Sequence, residues 1–130
     1  MAELKEEPIS VLIIEDDPAV AQMYRIKLEL DGYTVTVAPD GEIGLRMAAT
    51  DQPDLIFLDI RLPKLDGMAV LESLRNTDAT RNIPVVILSN YSERDLVDRG
   101  LKLGALEYLI KSQTTPARLS SWVEGWLKLG

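Results

Sequence analysis

Five short apolar runs, rich in β-branched residues, alternate along the chain with five longer amphipathic runs. The short runs cover residues 11–14, 33–38, 55–58, 85–88 and 106–110. The longer runs repeat apolar residues close to a 3.6-residue period and cover residues 18–30, 41–50, 67–76, 93–103 and 116–129. Buried strands that alternate with helices are typical of βα units, whose helices cover both faces of a parallel sheet. The sequence therefore predicts a doubly wound α/β fold with five strands and five helices, (βα)5.

No linker, repeat or low-complexity tract divides the 130 residues. A chain of this length is typical of one domain and buries enough surface to fold without a disulfide or a structural metal. We expect a single domain over residues 9–130, preceded by an N-terminal tail over residues 1–8. The longest apolar runs have four residues, too few to span a bilayer, and the first residues do not resemble a signal peptide. We therefore expect a cytoplasmic protein without a membrane segment.

The composition excludes several classes of function. The sequence contains no cysteine and no histidine, which excludes thiolate zinc sites, iron–sulfur clusters, Ser-His-Asp catalysis and a histidine phosphocarrier. There are 14 basic and 21 acidic residues, so the net charge is -7. This acidic balance argues against direct binding of nucleic acid through a basic face.

Polar residues follow four of the predicted strands. They are Glu15, Asp16 and Asp17 after the first strand, Asp59 after the third, Ser89 after the fourth and Lys111 after the fifth. Open parallel sheets bind ligands beyond the carboxyl ends of their strands. If the first and third strands are neighbours, Asp16, Asp17 and Asp59 converge at this edge. Two carboxylates 4 Å apart repel by about 4 kcal/mol at an effective dielectric of about 20, so a cation must offset their charge.

The residue types at this edge indicate one kind of chemistry. Oxygen donors without histidine or cysteine select Mg²⁺, Mn²⁺ or Ca²⁺, and open coordination positions favour Mg²⁺ that shares a phosphate with its partner. Lys111 adds a second cation and Ser89 a hydroxyl donor. Together with a carboxylate nucleophile they indicate a site that receives a phosphoryl group. Each residue also has a structural interpretation. Asp17 before Pro18, for example, is typical of a helix N-cap.

The sequence resembles the receiver domain of two-component response regulators, of the chemotaxis-regulator type, over about residues 9–128. The match consists of the acidic run after the first strand, the segment DIRLPKLDG at residues 59–67, Ser89, and the segment YLIK at residues 108–111. The resemblance implies a flavodoxin-like sheet with strand order 2-1-3-4-5, in which the first and third strands are neighbours.

The resemblance also implies a role for each matching residue. Asp59 is implied to accept a phosphoryl group from a phosphohistidine, supplied by a sensor histidine kinase or a phosphotransfer protein. Asp16 and Asp17 are implied to hold Mg²⁺, together with Asp59 and the backbone carbonyl of Arg61. The implied chemistry is self-phosphorylation from the phosphodonor and autodephosphorylation, so the chain is not expected to be an enzyme.

The remaining matching residues are implied to read the phosphoryl group. Ser89 and Lys111 contact it, and Tyr108 is an aromatic switch that turns inward when Ser89 moves. The implied output face consists of the fourth helix, the fifth strand and the fifth helix. A downstream protein target, or a second copy of the chain in a homodimer, is expected to bind there.

Two positions depart from the common pattern of the family. Ser112 follows Lys111 where the family usually has proline, and Asn90 follows Ser89 where the family mostly has a small residue. A cis peptide before a non-proline residue costs about 2.5–4 kcal/mol, which favours a trans Lys111–Ser112 bond.

Two further pairs of side chains have alternative interpretations. Arg61 and Tyr91 occupy positions that tune the lifetime of the phosphoryl group in this family, and Arg61 is either solvated, which we favour, or leans toward the acidic residues. Trp122 and Trp126 are four residues apart and share a helix face. We expect at least one of them to pack on the sheet, whereas an exposed one is suited to anchor a partner.

Two other functions stay open. A degenerate receiver acts as a constitutive protein-interaction module, an alternative that Asn90 and Ser112 favour and that the complete set of key acidic, hydroxyl and lysine residues opposes. A phosphatase with a similar sheet also uses an aspartate nucleophile. That chemistry usually needs a second aspartate two residues later, where this chain has Arg61.

Overall fold

A computed structural model describes residues 7–129; residues 1–6 of the predicted tail and residue 130 lie outside this range. The strands are β1 (Ser10–Ile14), β2 (Thr34–Ala38), β3 (Leu55–Leu58), β4 (Val85–Ser89) and β5 (Glu107–Ile110). The helices are α1 (Pro18–Leu30), α2 (Gly41–Asp51), α3 (Gly67–Asn76), α4 (Arg94–Lys102) and α5 (Pro116–Leu129), and a 3-10 turn covers Lys111–Gln113. All strand pairs are parallel, in the order β2-β1-β3-β4-β5, which confirms the predicted doubly wound fold.

The apolar core lies in two layers, one on each face of the sheet. Successive residues of a strand point to opposite faces, so each central strand contributes to both layers. In β1, Leu12 and Ile14 join the layer beneath α2 and α3, whereas Val11 and Ile13 join the layer beneath α1 and α5. Because all the strands are parallel, their carboxyl ends lie at the same edge of the sheet. None of the helices described here has the length and apolar content to cross a membrane.

The two tryptophans of α5 occupy different environments. Trp126 is buried, and its ring lies edge-on to Phe57 of β3 with 5.8 Å between the ring centroids. Trp122 is 39% exposed and packs edge-on against Trp126. The expectation that one tryptophan packs on the sheet is confirmed, and Trp122 remains at the surface.

Gly67, the first residue of α3, packs against the backbone that carries Asp59. A Cβ at this position would lie 2.2 Å from the carbonyl oxygen of Asp59 and 2.6 Å from the Cα of Ile60. Neither atom belongs to a flexible side chain, so an added methyl group must displace the backbone of the site. We expect Gly67→Ala to lower the free energy of unfolding by about 3 kcal/mol, as measured by chemical denaturation.

Gly125→Ala in α5 is the matched control. A Cβ at Gly125 meets no atom of the described residues within 4 Å, and alanine is preferred to glycine inside a helix by about 0.8–1 kcal/mol. We therefore expect this substitution to raise the free energy of unfolding. The close approach at Gly67 is contradicted if both alanine variants change stability in the same direction and by the same amount.

Candidate functional site

The carboxyl ends of β1 and β3 hold two buried acids side by side. The Asp59 N–H donates to the carbonyl of Ile14 at 3.1 Å, and the Glu15 N–H donates to the carbonyl of Ala38 at 3.0 Å. These bonds extend the strand pairing by one residue beyond β1 and β3. Glu15 and Asp59 are therefore fixed at the sheet edge, where they are 4% and 5% exposed.

Three carboxylates converge at this edge. Glu15, Asp16 and Asp59 each offer an oxygen, and these oxygens lie within 4.8 Å of one another. Glu15 and Asp59 are buried, whereas Asp16 is exposed to solvent. The predicted convergence of acids from β1 and β3 is present, but its membership differs from the predicted one.

Asp17 lies outside this cluster because its carboxylate caps α1. The Oδ1 atom of Asp17 accepts hydrogen bonds from the N–H groups of Ala19 at 3.0 Å and Val20 at 3.3 Å. Pro18 occupies the start of the helix, where its missing N–H costs nothing. The Asp17 N–H in turn donates to Glu15 Oε2 at 3.1 Å. The predicted acidic set Asp16, Asp17 and Asp59 is thus corrected to one in which Glu15 replaces Asp17.

Lys111 lies between the two buried acids. Its Nζ is 2.6 Å from Glu15 Oε1 and 3.0 Å from Asp59 Oδ2. Burial acts to lower the pKa of Lys111, but the hydrogen bonds and negative charges of Glu15 and Asp59 outweigh it and raise the pKa. The lysine therefore keeps a fixed positive charge beside Asp59, as its place after the fifth strand predicted.

Glu15 is destabilised as a carboxylate by its surroundings. Burial raises the pKa of Glu15 above 4.5, the hydrogen bond from Lys111 opposes this, and the charge of Asp59 adds to the rise. The folded state therefore binds this proton more tightly than the unfolded state. The resulting stability is present below pH 4.5 and is lost as the pH rises through the raised pKa.

Glu15→Gln tests this pH dependence in the presence of a metal chelator. The glutamine keeps the shape of the side chain and an acceptor for Lys111 but does not ionise. From pH 4.5 to neutral pH, we expect the free energy of unfolding of the variant to increase relative to that of the wild type. A difference between the two proteins that is constant across this range, measured by urea denaturation, would contradict the account.

Tyr91 connects the remaining side chains of the site. Ser89 is fully buried at the end of β4, and its Oγ accepts the Tyr91 N–H at 3.1 Å. The Tyr108 hydroxyl donates to the carbonyl of Tyr91, and burial raises the pKa of Tyr108, so it stays a donor at neutral pH. The guanidinium of Arg61 lies 4.3 Å from the centroid of the Tyr91 ring. Arg61 thus stacks on an aromatic ring, and the metal-binding role of its carbonyl stays a prediction.

The two departures from the family pattern contact each other. The Ser112 N–H donates to Asn90 Oδ1 at 3.0 Å. No peptide bond within the described residues is cis, so the Lys111–Ser112 bond is trans, the isomer that the sequence favours. This hydrogen bond joins residues 22 positions apart in the chain, so the sequence pattern alone did not indicate it.

The donor set fits a hard divalent ion. Glu15, Asp16 and Asp59 would hold it, since carboxylate oxygens are ligands that Mg²⁺ prefers. When bound, such an ion neutralises charge on the oxygens of a phosphoryl group. The chain itself supplies a buried carboxylate in Asp59, a fixed ammonium in Lys111 and a hydroxyl in Ser89. These groups suit the reception of a phosphoryl group at Asp59.

Curated relatives share most of this chain. The DNA-binding dual master transcriptional regulator RpaA of Synechocystis sp. is 44% identical over 101 residues, which cover 78% of this chain and 42% of that protein. The alkaline phosphatase synthesis transcriptional regulatory protein PhoP of Bacillus subtilis is 39% identical over 101 residues, which cover 78% of this chain and 41% of that protein. The chain thus spans less than half the length of these relatives.

Solved structures and a family model agree with these relatives. The receiver domain of the Francisella response regulator 1452 is 35% identical, with a TM-score of 0.85 and coverage of 95% of this chain and 98% of that one. A CheY-like receiver domain protein from Methanospirillum hungatei is 24% identical and has the same fold, with a TM-score of 0.87 over 95% of this chain and 96% of that one. The model of the response regulator receiver domain matches residues 11–124. This chain therefore belongs to the response regulator receiver domain family.

Proposed function

We propose that this chain is a phosphorylation-dependent switch of a two-component phosphorelay. Asp59 accepts a phosphoryl group from the phosphohistidine of a sensor histidine kinase or a phosphotransfer protein, with Mg²⁺ held by the acidic cluster. The observation that supports this most strongly is the Lys111 ammonium 3.0 Å from Asp59 Oδ2, beside the cluster of carboxylates. A buried carboxylate next to a fixed cation supplies both the nucleophile and the charge that stabilises its product.

The transfer requires no other group of the chain to act as a covalent intermediate. A carboxylate oxygen of Asp59 bonds to phosphorus while the P–N bond to the donor imidazole breaks, and the electron pair of that bond stays on the nitrogen. Lys111 and Ser89 then contact the phosphoryl oxygens. Attack by water on phosphorus later restores the Asp59 carboxylate and releases phosphate. The chain turns over no other substrate and is not an enzyme in that sense.

The signal arises because the Ser89 hydroxyl, which accepts one hydrogen bond in this structure, can also donate one. In this structure its Oγ accepts the Tyr91 N–H, and the Tyr108 hydroxyl donates to the carbonyl of the same residue. A phosphoryl group on Asp59 adds negative charge and strong acceptors, so the Ser89 hydroxyl gains an acceptor to which it can donate. The arrangement that satisfies the phosphoryl group becomes more populated, and Tyr108 turns inward. Gly100 of α4 leaves room beside the ring, since a Cβ there would lie 3.3 Å from Tyr108 Cδ2.

The output passes through α4, β5 and α5. Leu101 of α4 and Trp122 of α5 are large apolar side chains that are 46% and 39% exposed. A groove of about 500 Å³ on this face is lined by Glu107, Ser121, Trp122, Gly125 and Trp126. We propose that a downstream protein, or a second copy of the chain, binds this face, with no direct contact to nucleic acid.

Mg²⁺ binding distinguishes Asp16 from Asp17. A ligand that binds only the folded state stabilises it by about 2.7 kcal/mol at a concentration of 100 Kd. We expect Mg²⁺ to raise the melting temperature of the wild type and of Asp17→Asn, because asparagine caps a helix as well as aspartate does. Asp16→Asn should lose most of this increase. Equal loss in both variants, or a wild type that does not respond, would contradict the metal site.

Partner capture separates the switch from the constitutive interaction module. The protein is incubated with Mg²⁺ and acetyl phosphate, or with Mg²⁺ alone, and is then used as the bait in a pull-down. The proteins that it retains from a cell lysate of its source organism are compared between the two conditions. We expect retention of the target to depend on acetyl phosphate and to lose this dependence in Asp59→Asn. A target retained equally in both states supports the constitutive module instead.

A further inference from the structure

The peptide between Lys111 and Ser112 is held at both of its polar atoms. The Lys111 carbonyl accepts the Thr114 N–H at 3.1 Å, which closes the 3-10 turn. The Ser112 N–H donates to Asn90 Oδ1 at 3.0 Å and so reaches across to the loop after β4. The Asn90 side chain therefore fixes the plane of the peptide that directly follows the lysine of the site.

The far end of this turn is fixed by buried contacts. The hydroxyl of Tyr24, a buried residue of α1, donates to the carbonyl of Thr114 at 2.6 Å. Thr114, which is also buried, donates its own hydroxyl to the carbonyl of Ile110 at 2.8 Å. The Ser112 N–H of this turn bonds instead to the exposed side chain of Asn90. Asn90 is thus the contact of this turn that responds to movement of the loop after β4.

The hydroxyl of the site lies at the end of β4, directly before that loop. Asn90 directly follows Ser89, whose Oγ accepts the N–H of Tyr91. One short backbone segment, residues 89–91, therefore bears the buried hydroxyl and the amide that reaches the peptide after the lysine. A shift of this segment changes the positions of Ser89 and of the Lys111 peptide together.

We propose that Asn90 is a positioning residue that couples residues 89–91, at the end of β4, to the 3-10 turn that begins at Lys111, through the Ser112 N–H. This role rests on the proposed function, because Ser89 and Lys111 act together only when a phosphoryl group is on Asp59. The coupling keeps the lysine ammonium and the serine hydroxyl at fixed relative positions when the phosphoryl group is transferred to Asp59. Loss of the Asn90 side chain leaves Lys111 beside Glu15 and Asp59 but removes the hydrogen bond between residue 90 and the Ser112 N–H.

A double-mutant cycle isolates this contact. Ser112→Pro removes the N–H that Asn90 accepts, whereas Ser112→Ala keeps it and serves as the matched control. The initial rate of phosphorylation by acetyl phosphate at saturating Mg²⁺ is measured for each protein. We expect Asn90→Ala to slow this rate about tenfold in the wild-type and Ser112→Ala backgrounds and to have no further effect in Ser112→Pro.

The backbone amide of Ser112 provides a second readout that does not depend on phosphorylation. We expect Asn90→Ala to shift its NMR resonance and to speed its hydrogen exchange, while the melting temperature changes little. An unchanged Ser112 amide overturns the contact, and a changed amide with an unchanged phosphorylation rate overturns the positioning role. Equal effects of Asn90→Ala in all three backgrounds also overturn it. A wild type that takes up no phosphoryl group overturns the proposed function, and the role of Asn90 falls with it.

Discussion

Asp59→Asn is expected to lower the rate of phosphoryl incorporation from a small acyl phosphate and Mg²⁺ by about 10³-fold or more. The side-chain amide has the shape of the carboxylate but is a far weaker nucleophile. Lys111 keeps its 2.6 Å contact with Glu15, so we expect the variant to fold. Incorporation is measured with a labelled phosphodonor, and circular dichroism confirms that the variant is folded.

Asp98→Asn is the matched control for this substitution. Asp98 is an exposed aspartate of α4, a helix that begins a few residues after Ser89. We expect this variant to take up the phosphoryl group at the wild-type rate. Wild-type incorporation by Asp59→Asn, or an equal loss in both variants, would contradict the role of Asp59.

Lys111→Met is expected to lower stability strongly and to slow phosphorylation. The substitution leaves two buried carboxylates, Glu15 and Asp59, without the ammonium that contacts both of them. Removal of one partner from a buried ionic group costs about 3–5 kcal/mol, and the free energy of unfolding at neutral pH should fall by an amount near the lower end of that range. The loss of stability should be smaller at acidic pH, because protonation of Glu15 relieves its repulsion with Asp59. The variant should also accept phosphoryl groups more slowly, since the product loses a cation.

Two comparisons make this result specific. Lys102→Met, at the exposed end of α4, should change stability by less than about 0.5 kcal/mol. Mg²⁺ should stabilise Lys111→Met more than the wild type, because the ion then supplies the missing positive charge. Urea denaturation with and without Mg²⁺ measures both effects. A Lys111→Met protein as stable as Lys102→Met in chelator would show that the ammonium does not stabilise the two acids.

The layout of the fold followed from the alternation of short apolar and longer amphipathic runs. The bounds of α1, α3 and α5 agree with the sequence pattern because aspartate and proline mark their starts, as Asp17-Pro18 does for α1. The start of α4 was predicted one residue early, at Glu93, which makes no side-chain capping bond. The end of β4 was predicted one residue early because Ser89 is polar, yet it pairs with Ile110 in the sheet.

The acidic cluster shows where local sequence becomes ambiguous. Three consecutive acids follow β1, and the pattern contains both a helix cap and a pair of site residues. Asp17 is used by the cap, so counting back from Pro18 leaves Glu15 and Asp16 for the cluster. The capping and metal-binding interpretations of Asp17 exclude each other, and the structure shows the cap.

The contact between Asn90 and Ser112 had no comparable signal. Each residue departs from the common family pattern, and neither position predicts the other. The hydrogen bond depends on how β4 and β5 lie side by side and on the 3-10 turn after β5, which no period or cap indicates. Long-range polar contacts between loops therefore emerge from the folded arrangement rather than from local sequence.

The central claim is that Asp59 itself receives the phosphoryl group in a reaction that depends on a divalent ion. Borohydride reduction converts an aspartyl phosphate to homoserine, and peptide mass spectrometry then locates the reduced residue. After incubation with acetyl phosphate, we expect homoserine at Asp59 when Mg²⁺ is present and aspartate there when a chelator replaces it. An unreduced Asp59 in the presence of Mg²⁺, or reduction at a different aspartate, would contradict the account.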